Sequence, residues 1–187
     1  NSGGSPYDRF LQGERDALTE QQLKGFSLFH SEQFECFHCH TGVNLTVAYR
    51  DVHSDPADTL PFFNNGLYNV DGEGSYPSTD QGLYELTLDP ADRGMFRPQG
   101  LRNVAVTGPY MHDGSKPTLR DVLEHYRAGG TVTESGPNAG DGRTSPLKSG
   151  LVRPFAATDE EIEAVIAFLE SLTDPDVLTD PELADPE

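Results

Sequence analysis

The stretch Cys36-Phe37-His38-Cys39-His40 governs how the rest of the chain is read. It has the C-x-x-C-H spacing by which a c-type haem is attached. Two thiols three residues apart can add to two vinyl groups on one edge of the macrocycle. The adjacent His then reaches the iron from the proximal face, where an imidazole nitrogen is a good ligand. A redox dithiol would explain both Cys but not the His that follows, and it calls for a βαβ pattern that the flanking sequence lacks. A zinc site needs two more ligands. There is no third Cys, and His30, His38 and His53 stand at no zinc spacing. Cys36 and Cys39 therefore read as the attachment of one haem c, with His40 as its proximal ligand.

Working outward, the pattern before the motif is helical. Thr19-x-x-Gln22 has capping-box spacing, and Leu23, Phe26 and Phe29 fall on one face. A helix is expected from Glu20 to His30, ending just before the motif. A second is announced by Pro117-Thr118, with Leu119, Val122, Leu123 and Tyr126 as its stripe and Gly129-Gly130 as its stop. The third opens on Thr158-x-x-Glu161 and carries Ile162, Val165, Ile166, Leu169 and Leu172. Between the helices, residues 41–100 hold turn clusters such as Asn64-Asn65-Gly66 and Asp71-Gly72-Glu73-Gly74, so loops with at most short strands are expected. The expected fold is mainly α: a cytochrome c-like domain over 17–173, with about three core helices and long loops around a covalent haem. Residues 1–16 read as a linker or lead-in arm. The stretch 174–187 is acidic and Pro-broken, and reads as a disordered tail.

Composition agrees with one domain. The chain has 187 residues, 35% of them hydrophobic, with 19 Gly and 14 Pro, a loop-rich balance. Two Cys cannot staple a domain of this size. The formal charge of −18 argues against nucleic acid and anionic membrane as partners. No apolar run reaches the ~18 residues of a membrane span. The opening Asn1-Ser2-Gly3-Gly4 reads as a mature or trimmed form, with no signal peptide in view.

The sixth position of the iron has several candidates: Met95, Met111, His53, His112, His125 and Tyr126. Spacing alone makes Met the default, because a His/Met pair makes a good electron carrier. Tyr126 lies on the apolar face of its helix, where it could also serve as a core aromatic with a buried hydroxyl partner.

Several stretches together carry a resemblance. They are the attachment motif, Phe63-Asn64-Asn65-Gly66-Leu67-Tyr68-Asn69, Gly94-Met95-Phe96-Arg97, and above all the run from Leu101-Arg102-Asn103 through Thr107-Gly108-Pro109-Tyr110-Met111-His112-Asp113-Gly114, followed by Thr118-Leu119 and His125-Tyr126. Over roughly residues 6–173 the chain resembles the bacterial di-haem cytochrome c peroxidase family, including the methylamine dehydrogenase maturation enzyme MauG and its relatives. The likeness is to the C-terminal half of that family. Its members carry two haems in two cytochrome c-like domains on one chain. The N-terminal domain, with its own haem where peroxide reacts, has no counterpart here. The Trp that stands between the haems in many members would come from that half, and this chain has no Trp.

The resemblance implies roles for residues. The family's peroxidases place a Met at a fixed distance after the His-x-Gly motif, and the maturation-enzyme branch uses a Tyr there. Counted from His112 the position is Tyr126, which is implied as the distal ligand, with Met111 as runner-up. A calcium ion is implied between the domains, bound in part by the backbone carbonyls of Thr107 and Pro109. Arg97 and Arg102 are the expected partners of the haem propionates, and His112 is expected at the interdomain edge of the haem. The implied function is the electron-transfer haem domain of a di-haem peroxidase-like oxidoreductase. It would relay oxidising equivalents between a peroxide-reacting haem in the missing N-terminal half and a redox partner protein, either a small cytochrome or a protein substrate. The alternative is a free-standing monohaem c-type cytochrome acting only as an electron carrier. Covalent haem attachment implies a periplasmic or otherwise exported protein.

Overall fold

Side-chain caps open the helices that build the domain. The computed structural model describes residues 3–55 and 59–181. Six α-helices follow in chain order among these: α1 (Pro6–Leu11), α2 (Glu20–Phe29), α3 (Tyr84–Thr87), α4 (Leu119–Arg127), α5 (Asp159–Glu170) and α6 (Pro175–Thr179). Thr19, Thr118 and Thr158 each accept a hydrogen bond from the backbone N–H three residues on. Gln22, Asp121 and Glu161 answer by accepting from the capping residue's own N–H. Each reciprocal pair satisfies two of the donors that a helix start leaves unpaired. Two-residue strands make two antiparallel ladders: β1 (Phe63–Asn64) with β2 (Met95–Phe96), and β3 (Val132–Thr133) with β4 (Gly140–Asp141). The fold is mainly α, and the long connections carry turns, as expected.

The core sits where α2 crosses α5. Gly25 makes the crossing possible, because a Cβ there would lie 1.8 Å from the Ala164 carbonyl oxygen. Phe168 is fully buried beside it, its ring 5.2 Å from Phe29 and 5.5 Å from both Phe26 and Tyr7. Edge and tilted contacts at these separations suit the ring quadrupoles. Ile162, Val165 and Leu169 complete the stripe of α5, Leu172 follows just beyond its end, and α4 adds Leu119 and Leu123. Cys36, Leu101, Val104 and Tyr110 pack against the same cluster, so the attachment motif is seated on the core.

Two expectations differ from the structure at the chain's ends. The lead-in arm contains α1, which packs on the core. Ser5 and Tyr7 are buried, and the Tyr7 N–H donates to the Ser171 carbonyl at 3.1 Å. Asp8 accepts both contacts of a forked pair from Arg102 Nη1, at 2.8 and 2.9 Å. A six-residue helix is too short to show a periodic stripe, and its capping pair Ser5/Asp8 is the signal it does carry. The expected tail begins with the buried Asp174. Its carboxylate accepts from Gly4 at 2.9 Å and from Asp176 at 3.0 Å, capping α6. These two N–H groups hold its pKa below the usual carboxylate range, the Gly4 bond foremost. Residues 182–187 of that tail lie outside the described residues. Among the described residues no helix is long and apolar enough to cross a membrane.

Candidate haem site

Helix α2 delivers the chain to the attachment motif. A single 3₁₀ turn over Cys36–His38 follows. The N–H groups of Cys39 and His40 both donate to the Cys36 carbonyl, at 3.2 and 3.0 Å, so one turn carries both thiols and the imidazole. The turn is entered through Glu35 at φ +58, in the left-handed region that few non-glycine residues adopt. His38 Nε2 lies 2.9 Å from the Glu35 carboxylate. His40 behaves differently: its Nδ1 lies 3.1 Å from the Leu45 carbonyl. Burial lowers its pKa, against the backbone hydrogen bonds to Leu45 and Gln99, and the ring donates Nδ1–H to Leu45. Both thiols are free. Burial pushes Cys36 up to about 12 and Cys39 up to about 11, so both are protonated at neutral pH.

On the other side stands Tyr126, on the last turn of α4. Burial pushes its phenol up to about 12, while a hydrogen bond from the Asn65 side chain works against the shift. Cys39 and Cys36 also contribute, which sets the phenol within electrostatic range of both attachment sulfurs. Met111 takes φ +68 in its turn, and Asn65 Nδ2 donates to its Sδ at 3.4 Å. The other candidates are engaged elsewhere. His125 is 3% exposed. Its Nδ1 lies 2.7 Å from Thr131 Oγ1 and its Nε2 3.1 Å from the Asn65 carbonyl. Desolvation pushes its pKa down to about 4, so it is a neutral core histidine with both nitrogens in use. The His112 ring stacks on Phe96 at 3.7 Å, with Asp80 at 4.0 Å. His53 is exposed, and Met95 lies in β2.

Asn65, which donates to Met111, received no role in the sequence analysis. Its signal was the Asn64-Asn65-Gly66 turn, where Gly66 takes φ +74 and its N–H donates to Asn64 Oδ1 at 2.9 Å. Among the described residues, Asn65 Oδ1 is buried without a hydrogen-bond partner. Two thiols, an imidazole, a phenol and a thioether form a donor set that fits haem c.

The arginines divide. Arg102 engages Asp8 with Nη1 and donates Nε–H to the Val43 carbonyl at 2.8 Å, so its charge is already matched by a carboxylate. Arg97 donates from Nη2 to the Ala48 carbonyl at 3.1 Å, on the chain leaving the motif. Thr107 and Pro109 lie on an exposed turn with a cis Gly108–Pro109 bond.

No family model matches the chain. It is 32% identical over 191 residues to the cytochrome-c peroxidase IdrP1 of Denitromonas iodatirespirans, covering 95% of this chain and 47% of that protein. It is 31% identical over 191 residues to the methylamine utilization protein MauG of Paracoccus denitrificans, covering 91% of this chain and 46% of that protein. The solved structure of a MauG-like protein associated with microbial copper homeostasis superposes with a TM-score of 0.94 at 46% identity, covering 99% of this chain and 52% of that one. The chain thus spans about half the length of the relatives it matches.

Proposed function

Because the chain belongs to the family of bacterial di-haem cytochrome c peroxidases and MauG-like proteins, as the C-terminal half of its members, we propose that it is the electron-transfer haem domain of a peroxidase-like oxidoreductase. Haem c, when bound, supplies one-electron oxidation and reduction at its iron. Cys36 and Cys39 anchor it through thioether bonds. Leu45 orients His40, the proximal ligand. Tyr126 is the distal ligand, and its phenolate oxygen favours ferric and more oxidised iron over ferrous, where the thioether of Met111 would favour the ferrous state. Arg97 is the propionate partner; Arg102 is the weaker candidate, since Asp8 already holds it. In this reading peroxide reacts at the haem of the other half. The domain relays oxidising equivalents toward a small cytochrome or a side chain of a protein substrate. A net charge of −18 favours a basic partner. Attachment of haem to thiols requires export, so the setting is the periplasm.

Calcium fits only in part. Among the described residues no hydrogen bond ends on the carbonyls of Thr107 or Pro109, and such oxygens suit a hard cation. Two ligands are too few, so the remaining ones would come from the other half and from water.

One observation carries the proposal: the phenol of Tyr126 lies within electrostatic range of both attachment cysteines. The 46% identity to a MauG-like protein supports the same branch. The test is the ferric absorption and electron spin resonance of the haem-loaded protein beside its Tyr126→Phe variant. Loss of the tyrosinate signature is expected, and identical spectra would refute the ligand assignment. A native protein with one haem per polypeptide and no peroxide turnover would overturn the two-haem enzyme and leave a monohaem electron carrier.

A further inference from the structure

We propose that Glu32, Glu35 and His38 form a binding site for a divalent transition-metal ion of the zinc class, set on the haem-attachment turn but separate from the haem. The inference goes beyond the electron-transfer reading and does not depend on which residue is the sixth iron ligand. The chain holds 31 acidic residues and 6 His, yet among the described residues this is the one place where three such side chains converge. Their ligand atoms all lie within 4.8 Å of one another. His38 Nε2 stands 2.9 Å from Glu35 Oε2 and 3.6 Å from Glu32 Oε2. A tetrahedral ion with bonds of about 2.0–2.2 Å spaces its ligands by about 3.3–3.6 Å, so the three atoms already stand near the corners of one face. One imidazole and two carboxylates, with water at the fourth corner, suit zinc. Calcium asks for about six to eight oxygens and no nitrogen.

The chain holds this cluster together. Its members recur at every third position along the two turns that lead from α2 into the motif. The Glu35 N–H donates to the Ser31 carbonyl at 3.0 Å, and the His38 N–H donates to the Glu35 carbonyl at 3.3 Å. Glu35 is the anchor. Its side chain is 12% exposed, and Arg153 Nη2 donates to its other oxygen, Oε1, at 2.5 Å. A carboxylate fixed at one oxygen presents the other in a set direction, and metal-ligating carboxylates are held in this way. The His38 ring packs on Phe37 with 4.1 Å between centroids, so it too has a fixed orientation. Glu32 is exposed and closes the cluster from the solvent side. Two carboxylates outweigh the one guanidinium of Arg153, which leaves the cluster attractive to a dication. An ion held here ties the residue before Cys36 to the residue before Cys39 and clamps the attachment turn from outside.

The experiment titrates the haem-loaded protein, whose two cysteines are occupied as thioethers, with Zn²⁺ alone. Calorimetry reads the affinity and number of ions bound. The parent is compared with His38→Ala, with Glu32→Gln, and with His53→Ala as a control on an exposed histidine outside the cluster. The expected result is one ion bound at this site by the parent and by His53→Ala. His38→Ala and Glu32→Gln should bind it at least about tenfold more weakly. X-ray absorption at the zinc edge should show one imidazole nitrogen and oxygens at about 2.0–2.2 Å. Zn²⁺ should also raise the melting temperature of the parent and not that of His38→Ala. A parent that binds no zinc, or binds it as His38→Ala does, would overturn the proposal and leave the cluster as an ion pair only. Binding of Ca²⁺ by these residues in preference to Zn²⁺ would overturn the metal class. Should His38→Ala fail to take up haem, the exposed Glu32→Gln decides alone, and unchanged affinity there overturns the site. The Tyr126→Phe spectra test the haem ligand and leave this result untouched, so the two readings fail separately.

Discussion

Substituting Gly25 by alanine sets helix propensity against packing. Alanine in a helix interior is favoured over glycine by about 1 kcal/mol. In this helix the new Cβ would lie 1.8 Å from the Ala164 carbonyl oxygen, 2.5 Å from its carbon and 2.9 Å from Phe168 Cβ. An ordinary contact is 3.4–4 Å. The two nearest atoms are backbone, so no side-chain rotation relieves the clash, and α2 must move away from α5. Overpacking a core costs about 1–3 kcal/mol, with more where backbone shifts. The separation also loosens the ring contacts of Phe168, whose complete loss would cost about 3–5 kcal/mol and sets the ceiling. Packing therefore wins, and Gly25→Ala should destabilise by about 2–4 kcal/mol. For a chain of this length that corresponds to a melting temperature lower by about 4–16 °C. The measurement is urea unfolding of the haem-loaded protein, followed by far-ultraviolet circular dichroism and the Soret band together. The control is Ser27→Ala on the exposed side of the same helix, which should be neutral or slightly stabilising. A Gly25→Ala midpoint at or above the parent's would refute the close-crossing argument.

Two further outcomes follow from the arginines. Asp8→Ala leaves the largely buried Arg102 without its carboxylate and should cost about 2–3 kcal/mol, somewhat below the range for fully buried pairs because Arg102 keeps 18% side-chain exposure. The double variant Asp8→Ala/Arg102→Met should recover part of that loss in a urea double-mutant cycle, and strict additivity would count against the pair. Arg97→Gln removes a cation from the propionate side and should lower the reduction potential by on the order of 50–100 mV, from about 1–2 kcal/mol of Coulomb energy at an effective dielectric near 20. Spectroelectrochemistry reads it, and an unmoved potential would place Arg97 outside the propionate site.

The helices that matter most were legible because each repeats one chemical pattern locally. Thr19, Thr118 and Thr158 mark their starts, and the stripe of α5 is buried as its spacing implies. Phe168 escaped the stripe and yet fills the centre of the core, because a wide apolar face admits residues between the periodic positions. Helix α1 escaped because six residues cannot display a period. His125 read as a possible ligand, and only its burial and two partners reveal a structural histidine. Arg102 read as a propionate partner, while Asp8, 94 positions away, takes its charge.

By itself the sequence determined the three main helices and singled out the Cys36-x-x-Cys39-His40 motif as the candidate attachment site, since each depends on residues within a dozen positions of one another. The tertiary structure decided the rest: that Gly25 lets α2 meet α5, that Asp8 claims Arg102, and that Asn65 donates to Met111. These are contacts between distant segments, and no local pattern encodes them. A hydrogen bond or a clash acts over a few ångströms of space, whatever number of residues separates its two partners along the chain.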